Sequence, residues 1–351
     1  MPEPRRPRVA MVLTASTGGI GRHVASVAPR LAAREFDVTV YAAPVTLEAH
    51  DFGVPTVALD AVALARGVRR ADVVHAHGYK AAALALPYTR VSRVPLVVTW
   101  HNAVLGDGRG ARAGRILQRV VARGADLVLA ASSDLLASAV ALGAREARLS
   151  PVAAPALRPA RVARDARRHE LGLGEADVLV LTVTRLAPQK NLDLLLDVAA
   201  RTADRAGLAY VLVGAGPLHD ALAARVAAEH LPVTLVGASD DVASWLRAAD
   251  MVLLPSRWEA RALVAQEALL AAVPLVATRV GGVPELVGQA AVLVDPDDPD
   301  AVAEAVRTLA DDPEARRGLA DAGLHQAATW PGEDDVAEDL AAVYRRLAPL
   351  H

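Results

Sequence analysis

Residues 251–287 read MVLLPSRWEARALVAQEALLAAVPLVATRVGGVPELV. Residues 251–254 and 275–277 are short β-rich apolar runs, and between them a turn through Glu259 leads into a helical pattern containing Glu267. Strand, helix and strand in alternation are the signature of parallel α/β architecture. The same alternation extends outward. Before this segment, candidate strands fall at 9–13, 38–41, 73–76, 96–99 and 127–130, then at 178–183, 210–213 and 234–236; after it comes 292–294. Each half holds enough strands for a doubly wound sheet. The stretch PVAAPALRPARVARDARRHELGLGEAD, starting at Pro151, has three prolines, clustered arginines and no strand pattern, so the linker is placed at about residues 152–175. This predicts a first domain at 1–157, a linker at 158–175, a second domain at 176–330 and a closing segment at 331–351, in which 333–347 reads as an amphipathic helix containing Tyr344. Asp300 is the expected N-cap of the helix AVAEAVRTLA.

The 351 residues agree with two domains at roughly 150 each. Hydrophobic residues at 53% and charged residues at 22% exclude a disordered or fibrous class. With no cysteine, disulfides, thiolate metal sites, iron–sulfur clusters and thiol nucleophiles are excluded, and a reducing compartment such as the cytoplasm is allowed. The start, MPEPRRPRVAMVLTAS, reads as neither signal peptide nor anchor, and the most apolar later stretch, 125–144, is interrupted by Asp126 and Asp134. The expectation is a cytoplasmic chain, at most resting on the inner membrane surface. The net charge of −2 divides unevenly: residues 1–157 hold 19 Arg or Lys against 11 Asp or Glu, and residues 176–351 hold 14 against 26. A basic first half admits an anionic partner or a membrane surface; two domains of opposite charge attracting each other is the plain alternative.

Ligands of open parallel sheets bind beyond the carboxyl ends of the strands, so residues just after strands are the candidates. After the first strand, Thr14-Ala-Ser-Thr-Gly-Gly-Ile-Gly21 is a glycine-rich turn opening a helix, suited to an anion or simply to tight packing. It resembles the nucleotide turn of short-chain dehydrogenases, but none of the five tyrosines has the lysine four residues on which that chemistry needs. After strand 178–183 comes Arg185-Leu-Ala-Pro-Gln-Lys190, where two cations can clamp phosphates and neutralise a departing diphosphate. Cations at a helix start oppose its dipole unless an anion is present, which favours this reading over two exposed loop residues. Gly214 and Gly216, in Gly214-Ala-Gly-Pro217, permit backbone close to a ligand or make an ordinary turn. Eight helical residues would separate Glu259 and Glu267 by about 12 Å, too far for joint acid–base work at one bond and suited to holding one extended ligand at two points.

In order and context, Arg185 with Lys190, Gly214 to Pro217, and Glu259 with Glu267 resemble the retaining glycosyltransferases of family 4, which have the GT-B fold: two Rossmann-like parallel-sheet domains facing across a cleft. The likeness runs from Gly18-Gly19 to Trp330 and the final helix, and its most specific element is the Glu-x7-Glu segment. It implies a hexosyltransferase using a nucleotide diphosphate sugar of UDP or GDP type and an unidentified acceptor, with no metal and no other cofactor. By matched position, Arg185 and Lys190 would stabilise the leaving diphosphate, Glu259 would contact the sugar and Glu267 the ribose. Gly18 and Gly19 would approach the diphosphate from the other domain, and His101, in VVTWHN, would stand near sugar and acceptor. Arg261, Ala262 and Leu263 would open the helix that receives the donor's anion, and the last helix would pack back on the first domain.

One departure is Ala260-Arg261-Ala262, where relatives have Gly-Phe-Gly; it brings a charge to a helix start, and Arg261 is expected to contact a phosphate or a polar sugar. A nucleotide-sugar epimerase and a non-catalytic nucleotide-sugar-binding protein are the alternatives. His75 and His77 share a strand face without an evident third metal ligand, and DPDDPD at 295–300 reads as a turn before a helix, so no metal and no nucleic acid is expected. The basic stretch 109–123 reads as a helix burying Ile116, Leu117, Val120 and Val121, with peripheral membrane contact as the alternative.

Overall fold

The structure is a computed structural model that describes residues 5–153, 156 and 159–348. The chain forms two compact units, residues 1–155 with 331–351 and residues 156–330. In the first, β1 (Arg8–Leu13), β2 (Asp37–Ala42), β3 (Thr56–Ala58), β4 (Val73–His77), β5 (Leu96–Trp100), β6 (Leu127–Ala130) and β7 (Ala147–Leu149) make one parallel sheet in the order β3-β2-β1-β4-β5-β6-β7. Helices α1 (Gly19–Ala32), α2 (Pro44–Ala49), α3 (Ala61–Arg70), α4 (Tyr79–Ser92), α5 (Arg109–Gly124) and α6 (Ser133–Ala141) alternate with them. The second unit opens with α7 (Arg164–Glu170). Its strands β8 (Val178–Val183), β9 (Leu208–Val213), β10 (Val233–Gly237), β11 (Met251–Leu254), β12 (Leu275–Thr278) and β13 (Val292–Val294) lie parallel in the order β10-β9-β8-β11-β12-β13. Helices α8 (Leu192–Arg201), α9 (His219–Ala228), α10 (Val242–Ala248), α11 (Leu263–Leu270), α12 (Val283–Val287), α13 (Pro299–Asp311) and α14 (Pro313–Ala327) complete it, and α15 (Glu333–Leu347) belongs to the first unit.

In both sheets the strand order reverses beside the first strand. The chain steps outward from β1 to β2 and β3, then returns to lay β4 on the other side of β1; β8 and β11 repeat this. Loops that leave the two sides of such a switch point diverge and open a crevice at the carboxyl ends. The crevices therefore belong to the loops after β1, β4 and β5 in one unit and after β8 and β11 in the other.

The strands read as unbroken apolar runs because both faces are covered. On β8, Val178 and Val180 join one core while Leu179 and Leu181 join the core on the opposite face; β9 and β11 alternate likewise. In the first unit, α15 lays Val336, Leu340, Val343 and Tyr344 over the core that α1 enters through Val24, Val27 and Leu31. Arg30 to Glu333 and Arg34 to Asp334 and Glu338 bridge the two helices.

Three expectations are corrected. Within the segment read as linker, 164–170 is helical and packs in the second unit, because Arg164 and Arg168 are spent inward: both pair with Asp250, and Arg168 also donates to the carbonyls of Ala248, Gly174 and Asp177. Burial alone would raise the pKa of Asp250, but the Leu179 N–H and these guanidinium groups outweigh it and hold the carboxyl below its usual range. The cap of α13 is Asp298, which accepts from the Ala301 N–H, since Pro299 takes the first helical position; Asp300 binds Arg201 instead. Finally, α5 buries Gln118, Val121 and Ala122, whereas Ile116 is 67% and Val120 50% exposed.

Candidate active site

In the second unit the loop after β8 runs Thr184 to Ala187 and tightens into a 3-10 turn, Pro188–Lys190, that hands over to α8 through Asn191 at φ 50°. The neighbouring turn after β9 is pressed against it. Leu186 N–H donates to Ala215 O at 2.9 Å and Leu218 N–H to Leu186 O at 3.2 Å. A Cβ on Gly214 would stand 1.7 Å from Thr184 O, and one on Gly216 2.4 Å from Leu186 O. These glycines thus let two backbones touch, and the space beside them is filled by the loop that carries Arg185 and Lys190.

The loop after β11 closes onto the same turn. Gln189 donates through Nε2 to Trp258 O (2.8 Å), and Arg257 N–H donates to Gln189 O (2.9 Å). This brings Lys190 Nζ to 2.6 Å from Glu259 Oε1, which also accepts from Ser256 Oγ at 2.7 Å. Both charged side chains are largely buried, 18% and 10% exposed. The backbone of Glu259 is held from behind: Gly282 N–H donates to the Glu259 main-chain carbonyl, and Gly281, at φ 51°, has no room for a Cβ, which would lie 2.1 Å from that oxygen. The anion expected beside a lysine at a helix start is here a protein carboxylate. Arg185 is exposed, and among the described residues its guanidinium makes no hydrogen bond or ion pair. Glu259 precedes α11, and Glu267 sits half-buried within it. Ala262 is the N-cap residue of α11 and Leu263 opens its first turn, and the Ala262 side chain makes no capping hydrogen bond to the N–H groups there.

Arg261, just before the start of α11, is held by protein neighbours. Its Nε donates to Gln266 Oε1 at 3.3 Å, its guanidinium lies 5.6 Å from the centre of the Trp330 ring, and Glu285 is its charged neighbour. Burial lowers its pKa to about 10, opposed by Glu285, so it stays charged at neutral pH. These contacts turn the group toward Gln266 and Trp330. Its Nη2 is buried and has no hydrogen-bond partner among the described residues.

In the first unit, Gly18 caps α1 and a Cβ there would meet nothing within 4 Å, so packing does not explain it; the glycine that packing requires is Gly21, against the His50 ring. Gly18 and Gly19 are exposed. Alternation along β4 and β5 points His75, His77, Thr99 and His101 to the face covered by α1 and α15. His101 is consequently not a lone strand-end histidine. His77 Nδ1 lies 3.2 Å from His101 Nε2, and His75 bonds Tyr344 Oη through Nδ1 (2.5 Å) and Thr99 Oγ1 through Nε2 (2.7 Å). His23 of α1 sets its ring edge-on to His77 and His101, 5.6 Å from each. Burial lowers the pKa of His23 to about 4 and, with His23 nearby, that of His75 to about 3. His77 and His101 are pushed well below the usual histidine range by burial and by the other rings. All four are neutral at pH 7.

Sequence reasoning did not single out Ser256, Gln189, Gly281, His23 or Thr99. Ser256 and Gln189 adjoin named residues, and the glycine pair after β12 was visible, but only the folded loops reveal what each one touches.

Residues 18–155 match the family described as glycosyl transferase 4-like domain, and residues 177–312 match glycosyl transferases group 1. D-inositol 3-phosphate glycosyltransferase 1 of Catenulispora acidiphila is 33% identical over 303 residues, covering 78% of this chain and 72% of the relative. The chain belongs to the group 1 glycosyltransferases. Alpha-D-kanosaminyltransferase of Streptomyces kanamyceticus is 30% identical over 78% of this glycosyltransferase and 77% of its own length. Among solved structures, Anabaena Alr3699/HepE in complex with UDP-glucose superposes with a TM-score of 0.83 at 20% identity, covering 96% of this chain and 98% of that one. The fold is GT-B.

Proposed function

We propose that this glycosyltransferase moves a hexose-type sugar, with retention of configuration and without a metal, from a UDP- or GDP-type sugar to an anionic acceptor. The observation that carries the reading is the Lys190–Glu259–Ser256 cluster, at the carboxyl ends of β8 and β11, beside an exposed Arg185. A positive group already fixed where charge develops costs no reorganisation during the reaction. Lys190 and Arg185 take the diphosphate, with the backbone N–H groups at the start of α11; Glu259 accepts from the sugar hydroxyls and Glu267 from the ribose. In the first unit, the α1 N-terminus at Gly18 and Gly19 suits an anion, and neutral His101 suits a sugar hydroxyl. A solved neighbour holding UDP-glucose supports the donor class. Relatives named for D-inositol 3-phosphate, and the positive first half, support an anionic acceptor. The test incubates the protein with UDP- and GDP-hexoses and a phosphorylated polyol, with mass analysis and NMR of the anomeric centre. Sugar on the acceptor with unchanged configuration is expected. Isomerised donor would make it an epimerase, and inverted product would remove retention.

A peripheral membrane contact is supported by a separate observation. Helices α3, α4 and α5 lie side by side and carry three, two and five Arg or Lys and no Asp or Glu. Val62, Leu84, Val91, Ile116 and Val120 are exposed among them. Cations with aliphatic side chains between them suit the boundary of an anionic bilayer. Among the described residues, no helix is long and apolar enough to cross a membrane. Co-sedimentation should occur with phosphatidylglycerol-containing vesicles, and not with phosphatidylcholine alone. Ile116→Ser combined with Arg119→Glu should weaken it; equal sedimentation with both vesicles would remove the reading.

A further inference from the structure

His101 can offer a ligand only the nitrogen that its neighbours leave free. Its Nε2 is engaged by His77 Nδ1 at 3.2 Å, and both rings are buried, 8% and 2% exposed. Two neutral imidazoles in one hydrogen bond must divide the roles, one carrying the proton and the other accepting it. The rest of the cluster decides which. Among the described residues His77 Nε2 is fully buried and has no partner. If His77 carried its proton there, a buried N–H would be orphaned; if it carries the proton on Nδ1, only a bare lone pair goes unmet. Orphaned buried N–H groups are the rarer of the two. His77 is therefore the donor and His101 the acceptor, which puts the His101 proton on Nδ1.

Other rings pack against both imidazoles. His75 lies against His77 with ring centres 4.2 Å apart and is itself tied at both nitrogens, to Tyr344 and Thr99. His23 closes the other side, edge-on to His77 and His101. No carboxylate takes part in these hydrogen bonds, so the orienting partner that a charged residue often provides is here a second neutral imidazole.

We propose that His77 is a positioning residue for glycosyl transfer: by donating from Nδ1 to Nε2 of His101 it fixes that ring and leaves it a neutral N–H donor at Nδ1. This rests on the reading of His101 as an active-site group. In that state His101 donates a hydrogen bond to a sugar or acceptor oxygen and does not remove a proton from it.

Three measurements on the full chain separate the possibilities. Nitrogen-15 NMR of the histidine rings, with the His101 signals assigned by their loss in His101→Ala, should show the proton on Nδ1 of His101. A proton on Nε2 would overturn the proposal without any appeal to activity. His77→Asn and His77→Gln then form a matched pair. Both are polar and buried, but the Asn amide reaches the position of Nδ1 and the Gln amide that of Nε2. His77→Gln should lower kcat at least about tenfold, with donor KM within about twofold of the parent, and His77→Asn should recover most of that loss. Equal rates for the two variants, or parental turnover in His77→Gln, would overturn the proposal. His101→Ala tests the reading beneath it: parental turnover there would remove His101 from the active site, whatever the NMR shows of its tautomer.

Discussion

The polar groups at the carboxyl ends of the two sheets are built from opposite materials. In the first unit they are neutral rings: His75, His77 and His101 bonded to hydroxyls or to one another, with His23 of α1 edge-on to two of them. In the second they are full charges, a lysine and a glutamate in contact with a second cation exposed nearby. Neutral groups can be buried completely at the cost of fixed hydrogen-bond geometry, whereas charges must keep a partner. One cluster therefore depends on its protonation state and the other on its counter-charge.

The sharpest way to break this contrast is Lys190→Ala. Loss of a preorganised cation should lower kcat by about 10² to 10³. Stability should fall as well, because removing one partner of a largely buried pair leaves the Glu259 carboxylate with Ser256 donating to it but no counter-charge. Steady-state kinetics and a thermal melt check the two halves of that statement, and an unchanged kcat would remove Lys190 from the chemistry.

Acid should select the other unit. The unfolded histidines take up protons below about pH 6.5, while folded His23 and His75 resist until about 4 and about 3. Stability from these groups is thus fully present above pH 6.5 and is lost as pH falls toward 4, at about 1.4 kcal/mol per pH unit for each histidine. No histidine of the second unit is buried among the described residues. Hydrogen exchange at pH 5 against pH 7.5 should show peptides from residues 5–153 opening before those from 177–330; the reverse order would contradict the burial of the four rings.

Two smaller effects sharpen the comparison within the first unit. Tyr344→Phe takes the hydroxyl from His75 Nδ1 in a fully buried place and should cost about 1 to 2 kcal/mol in chemical denaturation. Arg34→Ala breaks a partly exposed pair of bridges to Asp334 and Glu338 and should cost below about 1 kcal/mol. If the arginine proved the more important of the two, α15 would be held by charge and not by its buried face.

The central strands were legible because each is covered on both faces and so reads as a continuous apolar run. Thr56–Ala58 and Ala147–Leu149 were not, since Thr56 and Arg148 break three-residue edge strands that, unlike the all-apolar Val292–Val294, leave no such run. The arginines of α7 were read as part of a linker, because nothing local announces that Asp250, distant in the chain, will receive two of them. The pairing of Lys190 with Glu259 was hidden for the same reason: sixty-nine positions separate them, and only the parallel order of β8 and β11 brings their loops together. On α5, helical spacing located an apolar stripe, but which flank faces the sheet depends on where the helix enters, so Ile116 and Val120 were assigned to the wrong side.

The return of α15 has a consequence for how the protein is made. Synthesis delivers β1 to β7 first, with Val24, Val27 and Leu31 of α1 lacking the helix that will cover them. The whole second unit must emerge before that cover arrives. The part of the molecule begun first is the part finished last, and during that interval its sticky flank is what a chaperone would meet.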